Sequence, residues 1–199
     1  LSLGGSDSSI LEAQLFQQVH DLGVIVVAAA GNENTSIPAY PASYDGVISV
    51  SAMDANGSRA PYSNFGNSVD ISAPGGNTSA DATGDGEPDG VLSTLVDDSS
   101  GSRQPIYSFY QGTSMATPHV TGMFALMKAV YPALTADIVD SLLQSNALTN
   151  DAGTTGRDDI YGFGTADALK AVQAALALDS GAEAPELAPS IVASPSSLN

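Results

Sequence analysis

Apolar positions change period within the first thirty residues. From Ile10 to Leu22, the residues Leu11, Leu15, Val19 and Leu22 fall on one stripe at helical spacing, with Asp7, Ser8 and Ser9 offering N-cap oxygens just before it. That spacing predicts an amphipathic helix. Gly23 ends it, and Val24-Ile25-Val26-Val27-Ala28-Ala29 follows as a continuous, mostly β-branched run, the pattern of a strand covered on both faces. A helix feeding directly into such a strand points to a parallel sheet. Further strands are predicted at Val47 to Ser51, Val69 to Ile71, Val91 to Thr94 and Ile106 to Phe109, separated by clusters of Gly, Pro, Asn and Ser. Three helices close the pattern: Ser114 to Tyr131 with an apolar interior, Thr135 to Gln144, and Thr165 to Leu178. The last two open on a Thr N-cap with an Asp in the first turn. The fold class is α/β.

The chain has 199 residues, 43% of them hydrophobic, enough to bury the core of one domain. Two stretches break the pattern. Residues 77–103 are rich in Gly, Ser and Asp, and from Asp81 to Asp98 they hold six acidic residues and no basic one, which reads as an inserted acidic loop. Residues 179–199 turn to Ser, Ala and Pro and read as a linker or tail. The net charge of −17 repels phosphate backbones and anionic lipid, so nucleic acid is not expected as a partner. No apolar run reaches the roughly 18 residues of a membrane span. With no cysteine, disulfides, thiolate metal sites and thiol nucleophiles are excluded, and covalent chemistry must use oxygen or nitrogen. High acidity without Cys fits a secreted, extracellular protein.

The strongest chemical signal is Gly112-Thr113-Ser114-Met115-Ala116-Thr117-Pro118-His119, where a strand gives way to a long apolar helix. A serine there sits among unpaired N–H groups at the positive end of the helix dipole, which suits stabilisation of an oxyanion. Gly112 lets the backbone approach a substrate, and Pro118 is tolerated only near a helix start. Ala116 replaces the second glycine of the α/β-hydrolase elbow, which excludes that family. Taken alone, Ser114 reads as an N-cap and Asn32 as a turn residue.

The eight-residue segment resembles the nucleophile motif of the subtilisin-like serine proteases. Ala28-Ala29-Ala30-Gly31-Asn32 is similar to that family's oxyanion-asparagine segment, and Ser2-Leu3-Gly4-Gly5 to the strand lining its substrate cleft. Tyr40-Pro41-Ala42, Tyr62-Ser63-Asn64-Phe65-Gly66, Ala73-Pro74-Gly75 and Tyr161-Gly162-Phe163-Gly164 match further family landmarks in the family's order. The resemblance covers residues 1–178 and implies a three-layer fold around a mostly parallel sheet, with serine endopeptidase activity on protein or peptide substrates and no organic cofactor. It implies Ser114 as nucleophile, and Asn32 with the Ser114 N–H as oxyanion hole. Leu3, Gly4 and Gly5 on one side and Ala29, Ala30 and Gly31 on the other would be the extended edges that pair with a peptide. Ala39 would floor the side-chain pocket, leaving room for Phe, Tyr, Leu or Met before the cut.

A serine triad needs a histidine base and an orienting carboxylate, and in subtilisin order both precede the serine. Neither family segment is present. His119 lies five residues after Ser114, about 140° around the helix, and His20 lies beside the first helix's stripe, so neither serves as base. The resemblance therefore implies the C-terminal portion of a catalytic domain whose N-terminal part, carrying Asp and His, is absent here, leaving a poor catalyst. Separately, Asp81, Thr83, Asp85, Glu87 and Asp89 place oxygens at alternate positions around Gly86, like the first nine positions of a calcium loop, although Leu92 occupies the twelfth. The family is commonly calcium-stabilised. Two alternatives stay open: the related sedolisins, which place an Asp where this chain has Asn32, and a catalytically inactive, calcium-binding or adhesion module on the same fold.

Overall fold

The computed structural model describes residues 1–181. The residues 182–199 of the expected linker or tail lie outside the described residues. The first helix, α1 (Ile10–Asp21), is capped by the Ser9 hydroxyl, which accepts from the Glu12 N–H at 3.4 Å. It leads into β1 (Val26–Ala29), β2 (Val47–Met53) and β3 (Ile71–Pro74), all parallel, with Val26 beside Val47 and Val50 beside Ile71. The hairpin β4 (Val91–Asp97) and β5 (Gln104–Tyr110) precedes α2 (Thr113–Val130) and α3 (Ala136–Gln144). Then come two short strands, β6 (Thr149–Asn150) and β7 (Thr165–Ala166), and finally α4 (Ala168–Asp179). The main sheet runs β1-β2-β3-β7-β6, parallel except for the β6–β7 pair.

Alternation along β1 and β2 divides the core. Val27 and Ile48 face the larger cluster, where α2 sets Val120, Met123, Phe124 and Met127 against the sheet. The small residues Ala171, Ala174 and Ala175 let α4 approach closely, and Val139, Leu142 and Leu143 of α3 fill the flank. Ala28 and Val47 face the other side, where Ala13 and Phe16 of α1 pack with Ala42 and Tyr44. The result is helix, sheet, helix, as the α/β pattern requires. Every residue of β2 is buried, and Asp70 at the entry to β3 accepts from the Ser49 N–H at 2.8 Å. Burial pushes the Asp70 carboxyl up to about 6, against the opposing pull of the Ser49 N–H and the Arg157 charge.

The structure departs from the sequence pattern at the last helix, which begins at Ala168 with Asp167 as its N-cap while Thr165 lies in β7, and along α1, α2 and the 77–103 excursion. Ile10, Leu11, Leu15 and Leu22 are exposed, and α1 holds no fully buried residue, so the face turned to the sheet is the one with Ala13 and Phe16. On α2, an apolar sequence nearly all round, Gly122, Ala125, Leu126 and Ala129 are also exposed. The excursion at 77–103 is a loop only up to Gly90, beyond which it forms β4 and the hairpin turn.

Candidate active site

Gly112 accounts for the entry to α2. Its φ of 148° is a backbone conformation that favours glycine; its N–H donates to the Gly75 carbonyl at 3.0 Å, and its carbonyl accepts from Met115 N–H at 2.9 Å. Tyr62 braces the same turn through its hydroxyl, which lies 2.9 Å from the Gly75 carbonyl and 2.8 Å from that of Gly76. Burial pushes the Tyr62 phenol up to about 12, so it remains a donor. Pro118 lies one turn after Ser114 and has no N–H for the Ser114 carbonyl. That carbonyl accepts instead from the Ser2 hydroxyl at 2.8 Å, which ties the nucleophile's turn to the chain at Leu1–Leu3.

Asn32 is held from two sides. Its Oδ1 accepts from the Thr113 N–H at 2.9 Å and from the Thr113 hydroxyl at 3.0 Å. The loop beneath it is fixed by buried Asn64, whose Oδ1 accepts from Glu33 and Thr35 N–H groups and whose Nδ2 donates to the Ala30 carbonyl and the Glu33 carboxylate. Gly31 sits in this knot at φ +109°, where a Cβ would overlap Asn64 Nδ2 and lie 2.7 Å from Glu33 Oε2. The Asn32 Nδ2 amide and the Ser114 N–H have no partner among the described residues, and both residues line one cleft of about 600 Å³.

Leu3, Gly4, Gly5, Ala29, Gly31 and Ala39 line the same cleft. Ala30 does not: its N–H donates to Val50, its carbonyl accepts from Asn64, and it is buried. Gly31 is similarly occupied, with its N–H on the Thr113 hydroxyl and its carbonyl on the Asn64 N–H. Gly5 pairs with Tyr40 in both directions, so the unpaired backbone edge along the cleft belongs to Leu3 and Gly4. A second, mainly apolar cavity of about 410 Å³ lies on the other side of Ser114, between the hairpin residues Val91, Leu95 and Tyr110 and the α2 residues Met115 and Pro118.

Neither histidine reaches Ser114. The Ser114 hydroxyl donates to the Ser2 carbonyl at 3.4 Å, while His119 is exposed, with Nδ1 2.8 Å from the Met115 carbonyl. His20 is not a free surface residue: it is largely buried at the α1–α3 contact, with Nε2 3.2 Å from Asp140. Sequence reading passed over Thr113, Asn64 and Ser2 as functional positions, because each acts on a neighbour brought close only by the fold. In the acidic loop, Asp81 accepts from the Gly84, Asp85 and Gly86 N–H groups, and Asp89 from the Thr83 hydroxyl. These all-oxygen donors suit calcium in kind. Among the described residues no three acidic or imidazole groups are gathered for a metal, so a cation there would lean on Thr83 and on neutral oxygens as well.

A sequence profile of the Subtilase family matches residues 1–164. The chain belongs to the subtilase family. It is 36% identical over 174 residues to a thermostable alkaline protease of Halalkalibacterium halodurans, covering 87% of this chain and 41% of that one. It is 33% identical over 171 residues to the minor extracellular protease Epr of Bacillus subtilis, covering 82% of this chain and 22% of the relative. Among solved structures, a protease from Pseudoalteromonas arctica superposes with a TM-score of 0.75 at 38% identity, over 88% of this chain and 50% of that one. The subtilase chain thus spans half or less of the length of these relatives. Its mostly parallel five-stranded sheet is the one seen in the subtilisin-like structures. No described helix is long and apolar enough to cross a membrane.

Proposed function

We propose that this chain carries the nucleophile and oxyanion hole of an extracellular serine endopeptidase. The observation that carries the reading is the pair of unpartnered donors, Asn32 Nδ2 and Ser114 N–H, on one cleft with the Ser114 hydroxyl. In the reaction, Ser114 Oγ bonds to the scissile carbonyl carbon and the carbonyl oxygen takes up negative charge between those two donors. The base takes the Ser114 hydroxyl proton as Oγ bonds to carbon and gives it to the amine, whose departure collapses the tetrahedral species, and water then hydrolyses the acyl-enzyme. Leu3 and Gly4 pair with the substrate backbone, and the small Ala39 leaves room for a large apolar side chain before the cut.

The base and its orienting carboxylate are assigned to a segment outside these 199 residues, the N-terminal part of the same catalytic domain. Support comes from the occupied state of both histidines and from two uncovered apolar faces, Leu11 with Leu15 on α1 and Leu126 with its neighbours on α2. Such faces call for a covering element. The 199 residues alone are then a poor catalyst. A structural calcium on Asp81, Thr83 and Asp89, with neutral oxygens completing the set, is a secondary part of the proposal, resting on donor chemistry, and it takes no part in the reaction. The test is hydrolysis of chromogenic peptides by the native protein that carries this sequence. Cleavage after Phe, Tyr, Leu or Met that vanishes in Ser114→Ala supports the reading; a folded protein that cleaves nothing favours an inactive binding module on the same fold.

A further inference from the structure

The turn that delivers Ser114 has a single side chain to hold it. Between the end of β5 at Tyr110 and the start of α2 at Thr113 stand only Gln111 and Gly112, and Gly112 caps the helix without a side-chain hydrogen bond. Both residues are held by one segment, 75–78. Gly112 N–H donates to the Gly75 carbonyl at 3.0 Å, and Gln111 Oε1 accepts from the Thr78 N–H at 2.6 Å and from the Thr78 hydroxyl at 2.9 Å. Thr78 stands near the start of the acidic loop, which is closed on itself. Asn77 N–H donates to the Asp89 carbonyl at 2.7 Å and Asp89 N–H to the Ala80 carbonyl at 2.9 Å, while the Asp89 carboxylate accepts from the Ala82 N–H and the Thr83 hydroxyl. The two ends of the loop touch: a Cβ on Gly76 would lie 2.9 Å from Gly90 Cα, and one on Gly90 would lie 2.7 Å from Thr78 Cγ2 and 2.9 Å from Phe109 Cβ. Thr78 is thereby fixed between Gly90 and Gln111, and the geometry of the loop passes through Gln111 to the turn.

We infer that Gln111 is a positioning residue through which the acidic loop holds the turn that places Ser114; this rests on the protease reading above. Gln111→Leu keeps most of the bulk and removes the acceptor of both Thr78 donors, while the bond from Gly112 to Gly75 stays. Displacing a reacting group by about 1 Å can cost about 10²-fold in rate, which sets the ceiling. With one of the two holds kept, kcat is expected to fall about 5- to 10-fold. KM should change less than about 2-fold, because the edge at Leu3 and Gly4 that pairs with substrate lies on another segment.

The experiment is a double-mutant cycle in the native protein that carries this sequence, using Gln111→Leu, Thr78→Val and both together, with kcat counted per site titrated by a fluorophosphonate. Gln111→Glu, whose carboxylate oxygen can still accept from Thr78, is the rescue. Thr78→Val is expected to lower kcat about 3-fold alone and to add less than about 1.5-fold to Gln111→Leu, and Glu should recover most of the rate that Leu loses. Losses that multiply across the two sites, a Leu variant as fast as wild type, a Glu variant as slow as Leu, or a KM effect larger than the kcat effect overturn the assignment while leaving a Ser114-dependent protease in place. A wild-type protein without Ser114-dependent turnover removes the protease reading instead. A readout free of turnover then decides the positioning claim: the Gly112 amide proton, followed by NMR hydrogen exchange, is expected to exchange about 10-fold faster in Gln111→Leu than in wild type or Gln111→Glu. Equal exchange in all three overturns it.

Discussion

Replacing Asp70 by Asn tests the energetics of the sheet beneath the site. The carboxyl is forced up from its ordinary 3.8 to about 6, chiefly by burial. The folded protein therefore holds this proton more tightly than the unfolded chain, and stability falls as pH rises from 3.8 to about 6. Two pKa units at 1.36 kcal/mol each set the penalty above that window at about 3 kcal/mol. The amide introduced by Asp70→Asn would stay neutral at every pH, and its oxygen would still accept the Ser49 N–H. The variant is thus expected to be more stable than wild type at about pH 7.5, by up to about 3 kcal/mol, and nearly equal to it at about pH 3.5. Urea unfolding of both proteins at those two values, in chelator, measures the difference directly. Asp158 does not confuse it: burial raises that carboxyl, the N–H groups of Tyr161, Thr154 and Ile160 bring it below its usual value, and the contribution is common to both proteins. A stability difference that does not change with pH, or an Asn variant weaker at pH 7.5, refutes the reasoning.

Three further outcomes are expected. Gly31→Ala forces a Cβ into the Asn64 amide at a positive φ, so it should destabilise by about 1–3 kcal/mol and slow turnover by about 10-fold or more through displacement of Asn32; urea unfolding and peptide kinetics check both. Met127→Ala empties a fully buried position between α2 and the sheet and should cost about 2–5 kcal/mol, again by urea unfolding. Added calcium should raise the Tm of wild type and not that of Asp81→Ala, since Asp81 organises the acidic loop; an equal response in both variants removes the loop as the site.

The element order was legible wherever one face or both faces of an element are buried. β1 and β2 announce themselves as continuous apolar runs because helices cover both sides of the sheet. α1 was legible as a helix but not in its orientation: the leucine stripe is its most hydrophobic face, yet Ala13 and Phe16 are the residues that fit against Tyr44. The strand expected at Val69 to Ile71 begins two residues later, because Asp70 and Phe163 complete the entry with loop hydrogen bonds rather than ladder pairing. At the site, motif similarity brings Ser114 and Asn32 to one cleft, but Ala30 turns away from it, since adjacent positions in an extended segment point opposite ways. Thr113, Ser2 and Asn64 left no trace of their roles. Each works through hydrogen bonds to residues far away in the sequence, and periodicity cannot encode such partners.

In the proposed reaction Ser114 is an activated nucleophile beside a preformed oxyanion hole. The most direct measurement is labelling of the native protein that carries this sequence with a fluorophosphonate, followed by peptide mapping of the adduct. A single adduct is expected on Ser114, absent in Ser114→Ala and formed more slowly in Asn32→Ala. A folded native protein that takes no label at Ser114, or takes it at another serine, contradicts it.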